Sequence, residues 1–270
     1  MAPGEAGRFA RTMTDDLENI PAIEGPVLLI GDVHGVYSDA MGDALTTVIE
    51  RMEFKGDVVF MGDIGLGFPN DPNGESSVGM LGDIAKDFGL RIWLIRGNHD
   101  NPSVWRAAAD GTLTVPENVH FLQQGYCRIC DKLAYVLPGG LSVDLAERTK
   151  DYDWWREEKV TLDGMSEDMP KVDILLSHTG PKPPFLEPLP RWVPKAVHAM
   201  AEAEQDVLDK AALMLRPTDW VYAHYHYDCL WFLYAPCNDP DLTIRCKALD
   251  ISEVLDFTTS STVSAKSENE

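Results

Sequence analysis

Residues 27–35 read VLLIGDVHG: four apolar residues, then a glycine, then an acid and a histidine two positions apart. The apolar run is too short for a helix and shows no polar alternation. That is the pattern of a strand buried on both faces of an α/β sheet. It returns twice. DVVFMGD (57–63) and RIWLIRGN (91–98) are further apolar runs, rich in Val and Ile, that end in glycine plus a polar residue. Helical patterns separate the three, around 38–53 and 77–88.

Outward from these runs the second half of the chain is richer in strands. A meander is expected near 119–122, 126–130 and 133–137, and VDILLSH (172–178) and DWVYAHY (219–225) read as further strands. From Lys195 to Leu215 the pattern is helical, with Met200, Val207, Ala211 and Leu215 on one face. CLWFLYA (229–235) and LTIRCKAL (242–249) read as a closing antiparallel pair with a turn at NDPD (238–241). The fold class is α/β, a layered sandwich with mixed sheets. One domain is expected over 25–255. Residues 1–24 are polar with Gly and Pro and are expected to form a loose arm. Residues 256–270 are Ser/Thr-rich and are expected to be a disordered tail.

Composition narrows the function classes. The net charge of -21 over 270 residues argues against an extended nucleic-acid grip, which needs stripes of Lys and Arg. It leaves a phosphate substrate open, because bound metal ions can supply local positive charge. No run of about 18 apolar residues is present, so no membrane span is expected. The first residues lack the apolar core of a secretory signal, which favours the cytoplasm. Five scattered cysteines do not form a disulfide framework. Cys127 and Cys130 have half the spacing of a zinc site, but no second pair follows and they fall in an expected hairpin, so they read as packing residues.

The polar residues stand at strand ends, where sites gather in such sheets. Asp32 and His34 follow the first strand, Asp63 ends the second, and Asn98, His99 and Asp100 follow the third. His178, His224 and His226 end later strands. Positions i and i+2 of an extended segment point the same way, so Asp32 with His34, and His224 with His226, can each aim two side chains into one cavity. Five of the seven histidines belong to this set, while His120 and His198 read as structural or surface residues. Carboxylate, imidazole and amide oxygen together suit Mn²⁺, Fe or Zn²⁺ better than Ca²⁺. The set is large enough for two ions with a carboxylate between them, the recurring device for phosphoryl displacement.

GDVHG (31–35), GD (62–63), RGNHD (96–100), SH (177–178) and HYH (224–226), in that order, resemble the five signature motifs of the calcineurin-like metallophosphoesterase superfamily. The resemblance implies two mixed β-sheets flanked by helices. It also implies that Asp32, His34 and His226 hold one divalent metal, that Asn98, His178 and His224 hold a second, and that Asp63 bridges them. His99 would sit near the leaving group and Asp100 would orient it. The cofactors would be two divalent ions, Mn²⁺ ahead of Fe, Zn²⁺ or Ni²⁺. GDVHG and RGNHD resemble the protein Ser/Thr phosphatase branch. That branch continues its second motif as Asp-Arg-Gly, whereas GDIGLGF stands at 62–68 here, and Ala223 stands where a glycine usually precedes the last histidine pair. The segment 138–158 is similar to one in poorly characterised bacterial and phage members.

The implied activity is hydrolysis of a phosphate ester by hydroxide activated between two metals, with a phosphomonoester as first reading. A phosphodiesterase acting on a nucleotide or nucleic acid is the alternative. A catalytically silent scaffold would be expected to have lost ligands or His99, and all are present. The partner is a phosphorylated substrate. Trp154 and Trp155 could line a pocket or pack a loop. Arg96 could hold phosphate or an internal acid.

Overall fold

Alternate residues of each central strand enter different cores, and this alternation builds the layers of the computed structural model, which describes residues 17–234, 236 and 239–260. Strands β1 (Ala22–Ile23), β2 (Val27–Ile30), β3 (Gly56–Phe60), β4 (Leu90–Leu94) and β5 (Val119–Phe121) are interleaved with helices α1 (Asp39–Thr46), α2 (Glu75–Phe88) and α3 (Pro102–Asp110). Then come β6 (Gly125–Ile129), β7 (Lys132–Leu137), β8 (Ile174–Ser177), α4 (Lys195–Leu215), β9 (Asp219–Tyr222), β10 (Cys229–Tyr234), β11 (Thr243–Ala248), β12 (Val254–Asp256) and α5 (Phe257–Ser260). One sheet has the order β12-β2-β3-β4-β5, parallel except for β12, and the other has the order β1-β6-β7-β8-β9-β11-β10.

In the five-stranded sheet Leu28, Ile30, Val58 and Phe60 face a core shared with Met41 of α1 and with Val78 and Leu81 of α2. Their neighbours Val27, Leu29, Val59 and Met61 face Ala134, Val136, Ile174 and Leu176 of the other sheet. Tyr135, Leu175, Trp220 and Tyr222 face the far side, against Leu208, Ala211 and Leu215 of α4. The result is helix, sheet, sheet, helix, as expected from strands apolar on both faces. Burying each such side chain contributes roughly 1.5–3 kcal/mol.

Several expectations need correction. The meander over 119–137 does not exist as one unit, because β5 pairs with β4 whereas β6 and β7 pair in the other sheet. The expected arm ends earlier than residue 24, since Ala22 and Ile23 pair with Arg128 and Ile129 and Ile23 is buried. The rest of that arm, up to residue 16, lies outside the described residues. On α4 the buried residues are Val197, Leu208, Ala211, Ala212 and Leu215, and Val207 is only partly buried.

The tail begins later than residue 256. β12 pairs with β2, Phe257 is buried between the sheets, and the Val27 N–H donates to Thr258 Oγ1 at 2.7 Å. Phe257 supplies apolar area that the polar remainder of the tail lacks. Its replacement by alanine is expected to cost about 3 kcal/mol, typical of an emptied aromatic site. That lowers the thermal midpoint by roughly 6–12 °C. An unchanged midpoint in calorimetry would show that Phe257 is not part of the core. Residues 261–270 lie outside the described residues. Among the described residues no helix is long and apolar enough to cross a membrane.

Candidate metal centre

The carboxyl ends of β2, β3, β4, β8 and β9 converge where the two sheets meet, and the polar residues of the motifs follow these ends. Immediately after the strands the backbone turns left-handed. His34, Asp63, His224 and His226 have φ between 51° and 70°. Non-glycine residues in this region cost about 1–3 kcal/mol each and persist where surrounding structure holds them. Here the loops are tied to one another. The His34 N–H donates to the Asp63 carbonyl at 2.8 Å, the Ala223 N–H to the His178 carbonyl at 2.8 Å, and the His224 N–H to Asp32 Oδ2 at 3.1 Å. Two glycines of the motifs are required by space. A Cβ at Gly62 would collide with the His178 ring, and one at Gly97 with the Asp63 carboxylate.

Two donor sets result. Around His178 Nε2 stand Asn98 Oδ1 at 2.9 Å, Asp63 Oδ1 at 3.3 Å and His224 Nδ1 at 3.3 Å. Around His226 Nε2 stand His34 Nε2 at 2.8 Å and Asp32 Oδ2 at 3.1 Å, and His34 Nδ1 lies 3.9 Å from Asp63 Oδ2. Asp63 thus turns one oxygen to each set. All seven residues expected as ligands are brought together. The groups compatible with one ion include Asp32, His34 and His226, and Asp32, Asp63 and His178. A third compatible group is His34, Asp63 and His99. Cys127 and Cys130 belong to none of them, and burial pushes the Cys127 thiol up to about 12, as a packing residue requires.

The set fits divalent cations on its own chemistry. Asp32 is fully buried, and its Oδ1 has no hydrogen-bond partner among the described residues. This oxygen lies 3.5 Å from His178 Nδ1, which is turned to the Met61 carbonyl, and a buried carboxylate oxygen without a hydrogen bond carries a cost that a cation would relieve. His178 Nδ1 lies 3.0 Å from the Met61 carbonyl, which fixes the proton on Nδ1 and leaves Nε2 to coordinate. Burial, reinforced by His178, lowers the His224 pKa to about 3, so its ring is neutral at neutral pH. Burial opposes charge on Asp63 too, but the imidazoles of His178 and His99 hold it ionised, below the usual carboxylate range.

In the metal-free protein His178 gains a second proton readily. Burial disfavours its charge, but Asp63 and Asp32 outweigh burial and raise the pKa to about 9. A metal must displace that proton. Affinity is therefore expected to rise with pH, about tenfold per unit below 9 while one proton is released. Between pH 6 and 8 the gain is roughly 100-fold. Titration calorimetry in buffers of different ionisation enthalpy measures the release directly, and a pH-independent affinity would show that binding displaces no proton from His178.

Around the donor sets the structure adds residues that sequence reasoning did not assign. Asn98 Nδ2 donates to Ser142 Oγ at 3.1 Å, and Ser142 donates to the buried Glu158 at 2.9 Å. Glu158 also accepts from the Ser142 N–H at 2.9 Å. This relay turns the Asn98 amide so that its oxygen faces His178. Arg148 approaches from the same segment, its Nη2 2.7 Å from His99 Nε2. Phe68 stacks on the His99 ring with centroids 6.1 Å apart.

Asp100 does not orient the His99 ring directly. Its carboxylate accepts from the backbone N–H of Gly65 at 2.8 Å, Leu66 at 3.1 Å and Gly97 at 2.8 Å, binding the second and third motif loops together. Burial, followed by the Asp63 charge, raises its pKa to about 6. Arg96 resolves differently from both expectations, as its Nη1 donates to the carbonyls of Glu158 at 3.2 Å and Gly97 at 3.4 Å. Trp155 is buried and packs edge-on against Phe68, while Trp154 pairs with Lys150 in a short bridge. His120 stacks on Trp93, a structural role. His198 lines the cleft above the centre.

Comparison with known proteins places this arrangement. No curated protein matches the chain. One solved structure shares 14% identity, covers 87% of this chain and 96% of its own, and superposes with a TM-score of 0.50, a likeness of fold alone. A phosphopantetheinyl hydrolase from Mycobacterium tuberculosis shares 12% identity over 84% of this chain and 90% of its own, with a TM-score of 0.37. The family model for calcineurin-like phosphoesterases matches residues 25–228, a span that starts just before β2 and ends just after His226. With its metal-compatible Asp and His groups at the strand ends within that span, the chain belongs to the calcineurin-like phosphoesterase family, enzymes that hydrolyse phosphoesters with divalent metals.

Proposed function

We propose that the protein hydrolyses a phosphomonoester at a centre of two divalent cations, Mn²⁺ ahead of Fe, Zn²⁺ or Ni²⁺. Asp32, His34 and His226 hold one cation, and Asn98, His178 and His224 hold the other. The observation that carries this reading is the division of Asp63, one oxygen toward His178 Nε2 at 3.3 Å and one toward His34 Nδ1 at 3.9 Å. When bound, such a pair makes water acidic enough to supply a nucleophile near neutral pH and neutralises charge developing on the phosphoryl group.

The chain's own residues do the remaining work. His99 stands at the centre, its Nε2 3.9 Å from Asp63 Oδ2, and gives a proton to the departing oxygen. The Asp100 hydrogen bonds hold the loops from which Asp63 and His99 project. A cleft of about 630 Å³ opens from His99 and His224 past Leu141, Val143, Leu186 and Lys182, with room for one alcohol group of the ester. The net charge of -21 supports a small or protein-borne phosphate over a nucleic-acid polymer.

A second reading, a phosphodiesterase, rests on a smaller cleft of about 370 Å³ that opens from the other side of His34 and His99 past Tyr37 and Phe68. A second ester arm has space there. The test is metal analysis followed by turnover of Mn²⁺-loaded protein on p-nitrophenyl phosphate and bis(p-nitrophenyl) phosphate. About two ions per chain and faster monoester turnover are expected. Faster diester turnover would establish the second reading, and hydrolysis in excess chelator would sink the metal-dependent one.

A further inference from the structure

We infer that Arg148 is the phosphate-gripping residue of this centre and sets its preference for dianionic monoesters, an inference that rests on the hydrolytic reading above. The guanidinium is held in place before any substrate arrives. Its Nε lies 2.8 Å from Asp144 Oδ1, one residue pair within the same loop. Its Nη1 donates to the Asp153 carbonyl at 3.1 Å, and Asp153 in turn accepts from the Thr149 N–H with its side chain. The Arg148 side chain is only 7% exposed, whereas the Asp144 side chain is 41% exposed. The charge is therefore sunk into the cleft, and its partner lies at the rim.

What the fork points at is not an acid. Nη2 stands 2.7 Å from Nε2 and 3.3 Å from Nδ1 of the His99 ring. An arginine whose purpose was to staple the loop would be complete with Asp144 and Asp153. Here the third contact brings the cation to the residue beside the candidate ligand Asn98, in the cleft lined by His34, Asp63, His224 and His226. Contacts to Asp144, Asp153 and the His99 ring leave part of the five-donor guanidinium fork unused, and the planar fork suits two oxygens of one phosphate. Cations held by the Asp and His groups would neutralise part of a bound phosphate, and Arg148, which lines the same cleft beside His99, would meet oxygens left on that side. A monoester carries two negative charges and three non-bridging oxygens at neutral pH, a diester one charge and two. The guanidinium therefore discriminates between them.

The experiment uses full-length protein loaded with Mn²⁺, wild type and Arg148→Met, on p-nitrophenyl phosphate and bis(p-nitrophenyl) phosphate, with inorganic phosphate as competing inhibitor. For the monoester, kcat/KM is expected to fall about 10–100-fold, the scale of charge-assisted hydrogen bonds lost. The diester value should fall several-fold less, and inhibition by phosphate should weaken at least tenfold while metal content is kept. Arg148→Lys retains charge without the fork and should recover phosphate inhibition in part. Equal losses on both esters with unchanged phosphate inhibition would overturn the inference and leave Arg148 a loop staple. So would loss of metal from both variants. If wild type hydrolyses neither ester, the hydrolytic reading fails first, and phosphate binding measured directly on both proteins still tests Arg148.

Discussion

Asp63→Ala is expected to lose most bound metal and nearly all hydrolysis. Asp63 turns one oxygen toward His178 and the other toward His34, so its removal weakens two sites at once. If paired cations contribute several kcal/mol of charge stabilisation, turnover falls by about 10³-fold or more. Alanine also removes a structural contact, since Asp63 Oδ1 accepts from the His99 N–H at 2.8 Å. Asp63→Asn separates the two effects. It keeps an acceptor for that N–H and removes only the bridging charge. The expected result is a folded protein with a native thermal transition, depleted in metal and nearly inactive. Plasma emission analysis gives the stoichiometry, and full activity in either variant would sink the bridged centre. The same substitution relieves Asp100, whose raised pKa owes part of its shift to the Asp63 charge.

The candidate ligands were legible because they sit where apolar runs end. VLLIGD, DVVFMGD and VDILLSH announce their strands by composition, and the chain has little freedom about where the next polar residue lands. The helper residues were not legible. Arg148, Ser142 and Glu158 lie in 138–158, which forms only short 3₁₀ turns and carries no period. Arg148 meets His99 across 49 positions, and Ser142 meets Asn98 across 44. The spacing of Asp144 and Arg148 signals an ion pair but says nothing about the third partner of the fork. Sheet membership was hidden for a different reason. β5 and β6 are separated by three residues and look alike, and only packing decides that one joins β4 and the other β7. The edge strands β1 and β12 are two and three residues long, below what periodicity can register.

Replacing His99 with alanine is expected to separate substrates by leaving group. A p-nitrophenolate leaves readily without a proton, but an alkoxide from a serine or sugar phosphate does not. Proton donation contributes about 10²–10⁴-fold where it is needed. Alkyl phosphate turnover should fall by that factor, p-nitrophenyl phosphate turnover far less, and metal content should hold. The free protein sets a condition on this role. Burial, opposed by the Asp63 charge and reinforced by Arg148, lowers the His99 pKa to about 4, so the ring is neutral at pH 7 before substrate binds. A dianionic phosphate between Arg148 and His99 reverses the balance, drawing the guanidinium onto its oxygens and favouring the imidazolium. Arg148→Met removes a cation that holds the His99 pKa down, so the ring should take up its proton more readily and the leaving-group effect should persist in that variant. Equal losses on both substrate types would make His99 a residue that positions phosphate. Loss of one metal equivalent would instead assign it to the cation, through the group it forms with His34 and Asp63.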